Sequence, residues 1–217
     1  MRVLVTGLDG FTGRYVESEL ESKDHVVLPL VSDFGQGKYP LMESEISQEK
    51  AQLMSLMQLT QLSKTSKDFN EFLQFTLQSL AKTIGFDRSA FFMLTGDKHH
   101  VQSRFSYDKM AELENFSCKL DIKSSENVFA NVVNTSEALL INNHKAVEWR
   151  NYMTRTIVDI LEDGAICLSP VQINKNNIGV IVGQRFGKTA KIHSDDFSSF
   201  CFLIEHLNMC LSMITRK

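Results

Sequence analysis

The chain opens as a β-α-β unit and then stops building one. The strand-like run Arg2-Val-Leu-Val-Thr6 leads into glycines spaced three apart, Gly7, Gly10 and Gly13. An amphipathic stretch follows, carrying Tyr15, Val16 and Leu20. A second apolar run from Val26 to Val31 then ends at Ser32-Asp33. Strands joined this way pair in parallel, and a parallel pair needs cover on both faces. Residues 1–33 are too few to supply it. The segment Phe34-Gly-Gln-Gly-Lys-Tyr-Pro40 holds two glycines and a proline, and periodicity lapses there. The sequence therefore predicts a β-α-β fragment over 1–33, a linker over 34–47 and a self-sufficient domain over 48–217.

Composition bounds the function classes. Of 217 residues, 43% are hydrophobic and 23% charged, as in an ordinary globular protein. The net charge of −3 is spread along the chain, so no basic footprint for nucleic acid is visible. Asp9 and the glycines interrupt any leader-like apolar stretch, and no window reaches about 18 uncharged apolar residues. Neither a signal peptide nor a membrane partner is expected. Cys118, Cys167, Cys201 and Cys210 lack CxxC spacing, which disfavours a metal cluster or redox pair. Scattered thiols suit a reducing, cytoplasmic location.

The larger part reads as alternating helices and short strands. Glu43 to Ser66 is rich in helix formers, with Leu53, Leu56, Met57 and Thr60 on one face. That stripe either packs on the following domain or pairs with a second copy; the heptad is not sustained long enough to decide. Ser66-Lys-Asp68 resembles an N-cap for a helix carrying Phe72, Leu73, Leu77, Leu80 and Ile84, with Gly85 at its end. Phe86–Thr95 and His100–Tyr107 read as strands. Val101, Ser103, Phe105 and Tyr107 are expected on one face of the second. Phe116–Ile122 and Ala138–Ile141 are further strands, and Ser125–Thr135 and Trp149–Ile160 further helices. Ala165–Val171 and Ile178–Phe186 flank Asn174-Lys-Asn-Asn177, a hairpin signature. Ser194-Asp-Asp196 is expected to cap a final helix bearing Phe200, Leu203, Ile204, Leu207 and Leu211.

This order predicts an α+β domain, an antiparallel sheet flanked by helices. Three segments carry a family likeness: FDRSAFFMLTGDKHHVQSRFSYD, SENVFANVVNTSEALLIN, and the closing hairpin with its helix. They resemble the GAF domain over residues 48–217, and within it the GAF-like half of bacterial HDOD signalling proteins. That resemblance implies a non-catalytic signalling or regulatory domain. It would sense a small ligand between sheet and inner helices, or serve as a homodimerisation module through its terminal helices without a ligand. The NKxD/E signature of cyclic-nucleotide binders is not met, because Asn174-Lys175 is followed by Asn176-Asn177.

The opening run MRVLVTGLDGFTGRYVESEL resembles the start of extended short-chain dehydrogenase/reductases, the NAD-dependent epimerase/dehydratase group, and hence a partial Rossmann fold. The resemblance implies Gly7, Gly10, Phe11 and Gly13 beside the phosphates of NAD or NADP, and Asp33 at the adenosine ribose. That group's Tyr-x-x-x-Lys is missing: the four tyrosines are followed four places on by Glu19, Glu43, Ala111 and Thr156. No dehydrogenase activity is expected. In the larger domain, Arg104 could meet an anionic ligand, and Trp149 and Tyr152 could line a pocket; a solvated strand face and ordinary core are the competing readings. His99-His100 would point to opposite faces of a strand, a poor chelate for one metal. No Gly-x-Ser-x-Gly, Walker A or His-Glu-x-x-His pattern occurs.

Overall fold

In the computed structural model of the chain, the described residues are 2–6, 26–30, 40–108, 118–123, 126–161 and 164–215. The chain divides into two compact units, Met1–Ile46 and Ser47–Lys217. In the first, strands β1 (Arg2–Thr6) and β2 (Val26–Leu30) pair in parallel, Arg2 opposite Val26 and Thr6 opposite Leu30. Gly7, Gly10, Phe11, Gly13 and Asp33 lie outside the described residues.

Helix α1 (Pro40–Thr65) leads into the second unit. Helix α2 (Phe69–Ser79) starts as its sequence predicts: Asp68 is extended, and its Oδ1 accepts from the Asn70 N–H at 2.9 Å. It continues as one π-helical turn, Leu80–Ile84, and stops at Gly85, whose φ of 81° a side chain would resist. The sheet then runs β3 (Arg88–Leu94), β4 (His100–Asp108), β5 (Lys119–Asp121), β6 (Leu139–Ile141), β7 (Gly164–Ile173) and β8 (Asn176–Phe186). Its spatial order is β5-β4-β3-β8-β7-β6, antiparallel throughout. Helices α3 (Val128–Thr135), α4 (Arg155–Leu161) and α5 (Ser194–Ile214) complete the unit.

Alternation along the central strands feeds two cores. Phe91, Cys167 and Ile181 join Phe72 and Leu77 of α2 and Phe200 and Leu207 of α5 on one face. Phe92, Leu168 and Val182 join Phe129 of α3 and Ile157 of α4 on the other. Two buried polar side chains are bonded within this packing: the Ser89 hydroxyl donates to the Leu77 carbonyl at 2.7 Å. Asn127 caps α3, accepting from Ala130 N–H at 3.0 Å and donating to Asp121 O at 2.7 Å.

Three sequence expectations change. Phe91 lies opposite Phe105 but Phe92 opposite Ser103, so Arg104 is an extra residue, a bulge. The bulge reverses parity: Val101 joins the α3 side, whereas Phe105 and Tyr107 pack on the α2 side. The helix expected from Trp149 begins only at Arg155. Before it, Trp149 and Tyr152 N–H groups donate to Ala146 and Trp149 carbonyls at 3.0 Å, turn bonds of i→i−3 type. The final helix starts at Ser194 with His193 in the cap position and no side-chain cap bond; Ser194 Oγ faces Asp195 instead. Asp195 and Asp196 still occupy the first turn, where the helix dipole favours them.

Helix α5 has a span-like length and a mean hydropathy of 1.4. Its buried residues, Phe200, Leu203, Ile204, Leu207, Cys210 and Leu211, belong to the first core.

Two measurements probe this packing. A Cβ at Gly183 would sit 2.6 Å from the Phe86 ring. Gly183→Ala is expected to cost about 1–3 kcal/mol in urea unfolding, and Phe86→Leu combined with it to cost less than the two separately. In the β3–β4 turn, the Thr95 hydroxyl and the His99 backbone N–H both donate to Asp97 and pull its carboxyl down to about 2. A depressed carboxyl stabilises above its unfolded value of about 3.9 and loses that contribution as pH falls through the folded value. An NMR titration is therefore expected to place Asp97 near 2, with the turn loosening between those limits.

Candidate functional site

The helix-covered face opposite α2 and α5 brings together the aromatic residues singled out in the sequence. Trp149 and Tyr152 are both half-buried, with ring centroids 6.3 Å apart in an edge arrangement, and both pack on the second core. Their segment is held at each end. Asn142 donates to Ile192 O at 3.1 Å and accepts from Ile192 N–H at 2.8 Å, and Tyr152 O accepts from Val128 N–H at 3.2 Å. Arg104 is exposed at the β4 bulge, its guanidinium 5.7 Å from the Phe105 ring centre. The described contacts bring Trp149 and Tyr152 together and leave Arg104 apart from them.

Among the described residues, side chains pack closely between sheet and inner helices. Phe92 and Phe129 stack at a tilt with centroids 4.8 Å apart, and Val101, Val128, Ile157 and Val182 are all wholly buried around the same core. Open volume lies at the two ends of this layer. A cleft of about 340 Å³ lies beside Asn142, His144, Lys145, Lys188 and Lys191. At the opposite end of the strands, a cleft of about 440 Å³ lies among Lys98, Lys123, Lys175, Asn134 and Asn176, with Leu94, Ile122 and Val133 as apolar wall. The sequence reading missed both. Their signal was present only as lysine in two turns where glycine or asparagine is the usual choice.

Nucleophilic chemistry finds little support. Burial pushes up all four thiols: Cys167 well above its ordinary value, Cys201 to about 11, and Cys118 and Cys210 upward. A thiol so shifted is protonated at neutral pH and is a weak nucleophile. Among the described residues, no three His, Cys, Asp or Glu side chains converge as a metal site. His99 and His100 both face Asp97 instead, at 4.0 and 3.7 Å.

Near the end of the central strand β8 a salt bridge organises the frame. Arg185 reaches Asp196 at 2.9 Å and donates to the carbonyls of Ile84 and Lys191 at 2.8 and 3.0 Å. One guanidinium thus joins the π turn, the loop after β8 and the start of α5. Its fork of donors is suited to such multiple acceptance.

Comparison with known proteins follows this geometry. No curated protein sequence matches the chain. Among solved structures, the chain is similar to an A. Aeolicus GAF domain in an inactive state, at 17% identity and TM-score 0.57, covering 78% of this chain and 98% of that one. It is also similar to the GAF domain of an Acinetobacter phosphoenolpyruvate-protein phosphotransferase, at 16% identity and TM-score 0.55, covering 76% and 95%. Free methionine-R-sulfoxide reductase from Neisseria meningitidis aligns at 13% identity and TM-score 0.58, covering 77% and 93%. These likenesses concern the fold. The family model described as GAF domain matches residues 68–201, more than half of the chain, from the Asp68 cap through the first two turns of α5. The chain belongs to the GAF domain family.

Proposed function

We propose that this chain is a non-catalytic regulatory GAF module that acts as a homodimer through α1 and α5. One observation carries the reading. Of the seven large hydrophobic side chains exposed among the described residues, six lie on these two helices: Leu53, Met54 and Met57 on α1, Phe202, Met209 and Met213 on α5. The helices are joined by Gln52 donating to Ser199 at 2.9 Å and by a Thr60–His206 contact at 2.9 Å. The other side of α1 carries Ser55, Leu59 and Ser63 inward at four-residue spacing, with both serine hydroxyls bonded to carbonyls of their own helix. Phe202, Met209 and Met213 recur at helical spacing along the outer side of α5. Exposed apolar side chains gathered on one pair of helices mark an association surface. The likeness to the GAF-type half of HDOD signalling proteins fits such a role. Four thiols shifted upward by burial support a regulatory rather than a catalytic part.

A second reading concerns the first unit. The parallel pairing of β1 and β2 supports a Rossmann-type remnant that holds NAD or NADP weakly through Gly7, Gly10, Phe11, Gly13 and Asp33, without turnover.

Sedimentation of the full chain is expected to give a dimer. Met57→Glu combined with Phe202→Glu is expected to give a folded monomer whose melting midpoint falls only by the stabilisation that association supplied, since both side chains are more than half exposed. A wild-type monomer across the micromolar range sinks this reading. For the first unit, NAD titration is expected to raise the melting midpoint slightly and Asp33→Ala to abolish the rise. A flat response in the parent chain removes the remnant reading and leaves the dimer untouched.

A further inference from the structure

The structure assigns a second role to the cleft between the two hairpin turns: we propose that it binds a small polyanion, a phosphate-bearing or polycarboxylate molecule with two or more negative charges. Among the described residues, four that are not glycine have positive φ: Lys98 at 59°, Ser136 at 59°, Asn174 at 49° and Lys175 at 67°. All four gather around this one cleft. Lys98 and Lys175 line it, Asn174 precedes Lys175 in the same turn, and Ser136 ends α3 and accepts from Asn177 of the lining at 3.0 Å. The β7–β8 turn, with both central residues left-handed, favours Asn followed by Gly. Asn174 meets that preference and Lys175 does not. A lysine at a left-handed position in each of the two turns is conformationally unfavourable, and strain of this kind gathers where function holds it.

Electrostatics point the same way. Lys98, Lys123 and Lys175 line the cleft, and among the described residues no acidic one does. Among the described residues none of the three ammonium groups forms an ion pair. The Lys123 Nζ lies 2.9 Å from His99 Nε2. Lysine only donates, so that nitrogen accepts, and Lys123 keeps further N–H groups for a ligand. The neighbouring carboxylates keep their charge but are not in the lining: Asp97 takes the Thr95 hydroxyl and the His99 N–H, and Asp121 the Lys123 N–H at 2.8 Å. Leu94, Ile122 and Val133 supply an apolar wall, beside which charge attraction is less screened than in open water. The amides of Asn134 and Asn176 add donors. Asn177 serves the frame, donating to the Val133 carbonyl at 2.6 Å and accepting from Gln172 at 2.7 Å. A volume of about 440 Å³ suits one small molecule rather than an extended chain.

The test uses the full chain and two probes in separate calorimetric titrations, inorganic pyrophosphate and citrate. Saturable binding of either is expected, weakening as sodium chloride is raised. Binding of pyrophosphate alone assigns the phosphate class, and of citrate alone the carboxylate class. Lys98→Asn combined with Lys175→Gly removes two charges and supplies residues that accept positive φ. It is expected to weaken binding about tenfold or more. The same variant is expected to raise the melting midpoint of the unliganded protein by about 2 °C or more. Lys50→Gln combined with Lys82→Gln removes equal charge outside the cleft and is expected to leave binding unchanged. The proposal is overturned if neither probe saturates, if the turn variant binds within about twofold of the parent, or if the control pair weakens binding as much as the turn pair does. The dimer reading is measured separately by sedimentation and stands or falls on its own.

Discussion

The rest of this fold depends on a sheet covered on both faces at its centre. Strands β3, β7 and β8 send alternate side chains into two separate cores, so every residue of their middle stretches has a packing role. Ala165 through Val171 are buried without a break, as are Gly179 through Gln184. The two glycines in β8 are part of the same constraint. At Gly179 a Cβ would lie 2.3 Å from the Phe92 carbonyl oxygen, and at Gly183 it would enter the Phe86 ring. With its middle committed to packing, the sheet leaves chemistry to its ends and to the outer sides of the helices. The lysine turns and the methionine-bearing helix faces occupy those places.

How far the sequence reveals this structure follows from which signals are local. The Asp68 cap, the Gly85 stop and the Asn174-Lys175 hairpin were legible because each is a short pattern whose geometry is dictated by a few adjacent residues. The β4 bulge was not, because nothing local in Gln102-Ser-Arg-Phe105 announces an extra residue. The register is set by β3, which must place Phe91 and Phe92 into different cores while β4 does the same with Phe105 and Val101. A period-two reading carried through Arg104 therefore put Phe105 and Tyr107 on the wrong side. The Trp149 segment failed for a related reason. Apolar residues at helical spacing also fit a chain of turns, and the i→i−3 bonds there suit a segment tied at Asn142 and Tyr152. The site was less legible than the fold. Its lysines are separated by tens of residues and converge only when both hairpins and the end of α3 meet.

Burial explains both the silence of the thiols and the exposure of the methionines. Cysteine behaves here as a small apolar residue, and desolvation holds each sulfur in its neutral form. The methionines of α1 and α5 are the converse case. A lone exposed Met is unremarkable, but Met54 and Met57 on one helix and Met209 and Met213 on the helix bonded to it gather flexible, polarizable apolar side chains on one pair of helices. The first core is complete without them, since Leu59, Phe200, Leu207 and Leu211 already seal it. Their apolar character is thus not needed for the monomer's own packing.

A ligand cleft and an association surface are useful to a regulatory domain only if they are mechanically joined. Here the connection is short. The turn that carries Lys175 hangs from α5 by two bonds: the Asn174 N–H donates to Ser212 Oγ at 2.9 Å, and the Gln172 N–H to Asn208 Oδ1 at 2.9 Å. Asn208 also returns a bond to the Pro170 carbonyl at 3.3 Å. Ser212 and Asn208 are next to Met213 and Met209 on the helix, so a change of the turn reaches the exposed strip without crossing the core. Proximity alone does not make a switch. An anion shifts an equilibrium only by its difference in affinity for two states. For this turn one state is the left-handed one present here, with Lys175 at the cleft beside Lys98, and the other would be any in which Lys175 leaves it. The strain in the first state raises its energy without ligand, and the ligand's charge would lower it. Lysine in a glycine position is therefore the element that would make anion binding register at α5.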